Sequence, residues 1–115
     1  MTRGEIVLCL FPHARGTPAK LRPAVVVQSD QYNARIDNLI VASITSNLQN
    51  ANDPAHVLID ISTSEGKQTG LTKTSLVSCL NLAVQPRKLI HHSIGRLSPL
   101  VMAQVDEALR EALAI

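Results

Sequence analysis

The sequence predicts one mainly-β (α+β) domain, a small and mostly antiparallel barrel of about six strands, with an amphipathic helix at its C-terminal end. Three observations carry that expectation. The chain has 115 residues, the length of a single domain with a real core. Its first two-thirds alternates short β-branched runs with clusters of Gly, Pro, Asn and Asp, the pattern of strands joined by turns. From Ser98 onward the apolar period changes to that of a helix.

The elements follow in order. Glu5 through Phe11 is apolar enough for a first strand, and Pro12 through Leu21 reads as a loop, with Arg15-Gly16-Thr17-Pro18 supplying turn chemistry. Pro23 through Gln28 is the second strand, and its unbroken Ala-Val-Val-Val run calls for cover on both faces. Proline lacks a ladder donor, so Pro23 is expected at the strand's first residue. Ser29 to Asn33 is a polar turn or a single helical turn. Asn38 to Thr45 is the third strand, His56 to Ile61 the fourth, Ser75 to Leu82 the fifth and Ile90 to Leu97 the sixth. Ser98 is then a helix N-cap with Pro99 at the first helical position, where a missing N–H is harmless. Val101, Met102, Val105, Ala108, Leu109, Ala112 and Leu113 form its apolar stripe.

Composition excludes several classes. Hydrophobic residues make up 45% and charged residues 17%, a globular balance. The net charge of +2 permits an anionic partner, and no Lys/Arg run marks a polyanion-wrapping tail. The apolar run ending at Pro12 is too short for a signal peptide or a membrane span, so a cytoplasmic location is expected. Cys9 and Cys79 sit in apolar runs and read as buried small hydrophobes of a reducing compartment. His91 and His92 are adjacent on a strand, so they point to opposite faces and read as surface residues rather than metal ligands. No phosphate loop, dinucleotide fingerprint, zinc spacing or nucleophile elbow is present, and neither metal nor cofactor is expected. One Phe, one Tyr and no Trp leave little for a base-stacking platform.

What remains is polar groups where apolar strands begin and end, the usual seat of function on a rigid scaffold. Arg22 stands at the entry to the second strand, and Thr45-Ser46 at the exit of the third. A surface cation and a turn hydroxyl are the plain alternatives.

The order of short motifs resembles the MazF/PemK toxin family. Arg3-Gly4-Glu5-Ile6-Val7 is followed by Leu21-Arg22-Pro23-Ala24-Val25-Val26-Val27-Gln28-Ser29-Asp30 and by Tyr32-Asn33. Ile40 to Ser46 is similar to that family's strand ending in Ile-Thr-Ser, Gly70-Leu71 with Ser75-Leu76-Val77 to its fifth-strand entry, and Ile94 to Pro99 to the approach to its last helix. The resemblance implies an SH3-like barrel, a homodimer, an antitoxin with a flexible acidic tail as partner, and metal-independent cutting of single-stranded RNA to 2′,3′-cyclic phosphate and 5′-hydroxyl ends. It places the catalytic pair on Arg22 and Thr45, with His13, Arg15, Lys20, Ser46 and Asn81 as candidate substrate-binding residues. Those residue types suit the chemistry: a guanidinium offers forked donors to a phosphorane and a hydroxyl adds a short hydrogen bond. For His13, Arg15 and Lys20 a solvated basic loop is the equal alternative.

Two stretches depart from the family pattern. Gly16-Thr17-Pro18-Ala19 has no carboxylate, and Leu80 follows Cys79 where an acid is common. Three readings are open at this level: cleavage by Arg22 and Thr45 alone, cleavage assisted by another acid such as Glu5 or Asp30, or a barrel that keeps only a partner surface. A toxin of this fold that poisons a topoisomerase is a further alternative.

Overall fold

The computed structural model describes residues 1–11 and 20–115. Its strands are β1 (Glu5–Phe11), β2 (Lys20–Val26), β3 (Asn38–Thr45), β4 (His56–Ile59), β5 (Ser75–Pro86) and β6 (Ile90–Arg96). Helices α1 (Asp30–Asn33), α2 (Ser64–Lys67) and α3 (Pro99–Leu113) complete the chain, with a 3₁₀ turn at Arg87–Leu89. All strand pairings are antiparallel, in one six-stranded sheet ordered β4-β5-β3-β2-β1-β6.

Alternate residues of the central strands enter two separate cores. Ile6, Val25, Ala42, Ile44, Val57 and Val77 pack beneath α3 with Val101, Val105 and Ala108. Val7, Cys9, Ala24, Val26, Leu39, Val41 and Ile90 form the second cluster, against Phe11 and Ala83. Cover on both faces explains the continuous apolar run of β2. Cys9 and Cys79 are buried and free, one in each cluster, and burial pushes each thiol up to about 11.

Helix α3 starts as its sequence indicates, with Ser98 Oγ accepting from the Val101 N–H at 3.2 Å. Its buried stripe is narrower than expected: Met102, Leu109 and Ala112 are partly covered and Leu113 is 51% exposed. Arg3 ties the sheet to this helix. Its guanidinium donates to Val27 O at 2.8 Å and to Asp106 Oδ1 at 2.7 Å, and its backbone N–H donates to Asp30 Oδ1 at 2.7 Å. Among the described residues, no helix is long and apolar enough to cross a membrane.

Five strand boundaries differ from expectation; β2 stops at Val26 rather than Gln28 and β6 at Arg96 rather than Leu97, and the other three have a visible cause. Strand β2 begins at Lys20, so Lys20 is a strand residue and Pro23 lies inside the strand. The register shows why proline is tolerated there. Val27 N–H donates to Ile40 O on the β3 side, so by two-residue alternation Pro23 N also faces β3. Pairing with β3 starts only at Ala24, so no ladder donor is needed at Pro23. Strand β4 stops at Ile59, where the Asp60 side chain accepts from Ser62 and turns the chain. Strand β5 runs on to Pro86 because Ala83, Val84, Gln85 and Pro86 pair with Val41 back to Asn38. It is interrupted once: Ser78 pairs with Ser43 and Leu82 with Ala42, so Cys79, Leu80 and Asn81 bulge away from β3.

Candidate active site

The site is built where β2 and β3 stop pairing. Ala24 lies opposite Ser43, and continuing that register by two residues sets Arg22 opposite Thr45. Two-residue alternation then gives both side chains the same sheet face. They line one groove of about 300 Å³ together with Pro23, Ile44, Ser46 and, from the segment entering β5, Leu71, Thr72, Lys73 and Ser75. Pairing of Thr45 with Leu76 brings that segment to the same end of the sheet.

Arg22 and Lys73 are exposed, and Thr45 is half-buried. The Thr45 hydroxyl does make the local turn bond: Oγ1 accepts from the Asn47 N–H at 3.1 Å. That bond occupies a lone pair and leaves the hydroxyl proton for donation. One wall is held firmly, because Ser75 Oγ donates to Lys73 O at 2.8 Å and Thr74 Oγ1 accepts from the Ile61 N–H at 3.3 Å. The described lining therefore offers two cations and four hydroxyls, with no carboxylate. Such a cleft attracts an anion and presents converging donors to its oxygens.

The groove between β4 and α3 is larger, about 630 Å³, but its charged walls are Glu107 and Glu111. Two carboxylates there oppose a phosphodiester, so charge rather than volume selects the smaller cleft.

Arg22, Thr45 and Ser46 thus line one groove. Lys20 starts the same strand, two residues before Arg22, outside the groove lining. Asn81 is exposed on the β5 bulge and does not line the groove; Leu80 beside it is 63% exposed. His13 and Arg15 lie outside the described residues. Glu5 and Asp30, the acids considered as substitutes, are engaged elsewhere. Glu5 accepts from Thr2 N–H and hydroxyl, both at 2.9 Å. Desolvation raises its pKa, and hydrogen bonds from Thr2 and Ser93 outweigh that and lower it. Asp30 is held below the usual carboxylate value by the Arg3 N–H and the Asn33 amide. Lys73, Thr72 and Ser75 are groove residues that the sequence reading missed. The run from Gln68 to Thr74 has no periodicity, and nothing local marks its lysine as inward-looking.

The family profile described as "PemK-like, MazF-like toxin of type II toxin-antitoxin system" matches residues 2–113. Endoribonuclease MazF6 of Mycobacterium tuberculosis is 34% identical over 115 residues, covering 98% of this chain and 96% of that protein. Endoribonuclease EndoA of Bacillus subtilis is 31% identical over 114 residues, covering 98% and 94%. Among solved structures, a mycobacterial endoribonuclease in complex with its cognate antitoxin superposes with a TM-score of 0.78 at 20% identity, covering 100% of this chain and 96% of that one. A MazF structure from Deinococcus radiodurans gives 0.76, also at 20% identity, covering 100% and 97%. Both structural likenesses speak to the fold, and it is the sequence matches across nearly the whole length that establish kinship: the chain belongs to the PemK-like, MazF-like toxins of type II toxin–antitoxin systems.

Proposed function

We propose that the chain is an endoribonuclease toxin that cuts single-stranded RNA in the Arg22–Thr45 groove, without a metal ion. The observation that carries the reading is the juxtaposition of Arg22, Thr45 and Lys73 in one cleft whose described lining holds no carboxylate. Full-length relatives named as endoribonucleases support the reaction class, and favour it over a non-catalytic barrel or a topoisomerase poison.

The ribose 2′-hydroxyl attacks the adjacent phosphorus as the bond to the 5′-oxygen breaks. The 2′-proton is lost, the departing 5′-oxygen gains one, and the products are a 2′,3′-cyclic phosphate and a 5′-hydroxyl. Negative charge peaks on the non-bridging oxygens of the phosphorane. Arg22 offers forked donors there, Thr45 its hydroxyl proton, and Lys73 a second positive charge at the wall. Fixed donors of this kind are each worth roughly a 10²–10³-fold rate effect. With a guanidinium pKa above about 12, Arg22 acts as a charge clamp rather than a resting base. Leu80, out on the bulge, does not line this groove.

A cognate antitoxin is the inferred partner, as in the mycobacterial complex, along with a homodimeric state and a cytoplasmic site of action where RNA is met. Incubating the purified protein with a long single-stranded RNA in EDTA, beside Arg22→Ala, tests the reaction. Cyclic-phosphate and 5′-hydroxyl ends that vanish in the variant are expected. Intact RNA with the folded wild-type protein would overturn the proposal.

A further inference from the structure

RNA sequence is ordinarily read by stacking bases on aromatic side chains and hydrogen-bonding their edges. Among the described lining residues of the groove there is no aromatic. Discrimination then falls to polar groups with a set direction. The hydroxyls of Ser46 and Thr72 can rotate to donate or accept, so they tolerate either kind of base edge.

Asn47 is different. It follows Ser46 just beyond the groove lining, its side chain is exposed, and its backbone N–H holds Thr45 Oγ1 at 3.1 Å. Its side-chain Oδ1 accepts from the Gln49 N–H at 3.0 Å. A backbone N–H can be received only by the amide oxygen, so this bond settles which end of the amide is which. The remaining end, Nδ2, carries two donors on the residue that also orients the reactive hydroxyl. The loop beyond is braced as well. Ala51 N–H donates to Leu48 O at 3.1 Å, Asp53 N–H to Asn50 O at 3.0 Å, and Asp53 Oδ1 accepts from the Ala55 N–H at 2.8 Å. His56 bridges Asp53, at 3.3 Å, and Ser78 of β5, at 3.1 Å. A donor on a braced loop can discriminate, whereas one on a loose chain adapts to whatever it meets.

We infer that Asn47 is a specificity-determining residue, reading the base beside the scissile phosphate and favouring a carbonyl edge, uracil O4 or guanine O6, over the amino edge of cytosine or adenine. The inference rests on the endoribonuclease reading of Arg22 and Thr45.

Asn47→Asp is the discriminating variant. Its carboxylate keeps an oxygen for the Gln49 N–H, and the backbone bond to Thr45 is untouched. The outward atom turns from donor to acceptor. A library of random-sequence single-stranded RNA is cut in EDTA, and the 5′-hydroxyl ends are captured and sequenced. The added negative charge slows every cleavage, so the readout is the ratio of bases within one library. The wild type is expected to prefer uracil or guanine by about tenfold at one flanking position, and Asn47→Asp to shift toward cytosine or adenine by a similar factor. Asn47→Ala should flatten the preference. A wild-type profile retained in Asn47→Asp overturns the inference and leaves the nuclease standing. RNA left intact by the wild type overturns both.

Discussion

Replacing Gly95 by alanine tests how the groove wall is held. The segment after α2 lies against β6 with no space between them. A methyl group at Gly95 would sit 2.5 Å from the carbonyl oxygens of both Gln68 and Thr69, where ordinary contact begins at 3.4 Å. The shortfall is about 0.9 Å, and the obstructing atoms are backbone, so the segment itself must move. The same shift would stretch the bond from Arg96 N–H to Gln68 O, now 3.1 Å, beyond hydrogen-bonding range. Overpacking costs about 1–3 kcal/mol and the lost bond about 1 kcal/mol. For a domain of this size that lowers Tm by roughly 8–15 °C. Gly70→Ala should be worse, because its methyl would collide with the Ile94 carbonyl and its φ is +73°. That left-handed backbone adds about 1–2 kcal/mol for a residue with a Cβ. Gly4→Ala separates the two effects. Its φ is +95°, yet the nearest atom to an added methyl is Met102 Sδ at 3.7 Å, so strain alone remains. Thermal unfolding followed by circular dichroism should therefore rank the variants Gly70 worst, then Gly95, then Gly4. Because residues 68–70 lead directly into Leu71, Thr72 and Lys73, Gly95→Ala should also cut RNA more slowly at temperatures where it is folded. A Gly95→Ala protein melting within about 2 °C of wild type would refute the interlock, as would a Gly4 variant less stable than it.

Thr45→Val keeps the side chain's shape and removes its hydroxyl, so kcat should fall by about 10²–10³-fold with Tm nearly unchanged, while Thr45→Ser stays close to wild type; full kcat in the valine variant would remove Thr45 from the reaction. Acid stability should depend on Asp30, whose pKa lies below its ordinary 3.8 because the Arg3 N–H, and then the Asn33 amide, favour the charged form. A depressed folded pKa adds stability above the unfolded value and loses it as pH falls through the folded one. Asp30→Asn keeps an acceptor oxygen in place, so its urea midpoint should fall less steeply than wild type as the pH drops below the ordinary carboxylate value of 3.8; parallel curves would show that the pairing does not contribute.

Much of the fold was legible because local chemistry and tertiary structure agree. Strands β1 and β3 occupy the predicted residues, and α3 begins behind the predicted Ser98 cap with Pro99 first. The errors fall where a partner strand decides. Pro23 argued locally for a strand start, and only the register, with β3 pairing beginning at Ala24, shows that its missing donor faces an unpaired position. The last residues of β5 have no strong pattern of their own and are extended because Asn38 to Val41 pair with them.

The site divides the same way. Arg22 and Thr45 stood out as polar residues bounding apolar strands, and family resemblance raised them to a catalytic pair. That they line one groove follows from strand register, a long-range property. Lys73 was invisible, since an exposed lysine in a polar stretch looks like any other until β5 returns beside β3 and carries it to the groove. Leu80, which the linear pattern placed where an acid is common, is carried outward by a bulge that no local signal announces. By itself the sequence determined the order and kind of the elements, because apolar period, caps and turn residues act within a few positions along the chain. Which side chains meet was decided only by the tertiary structure, because sheet register and bulges depend on pairing energies between residues far apart in the chain.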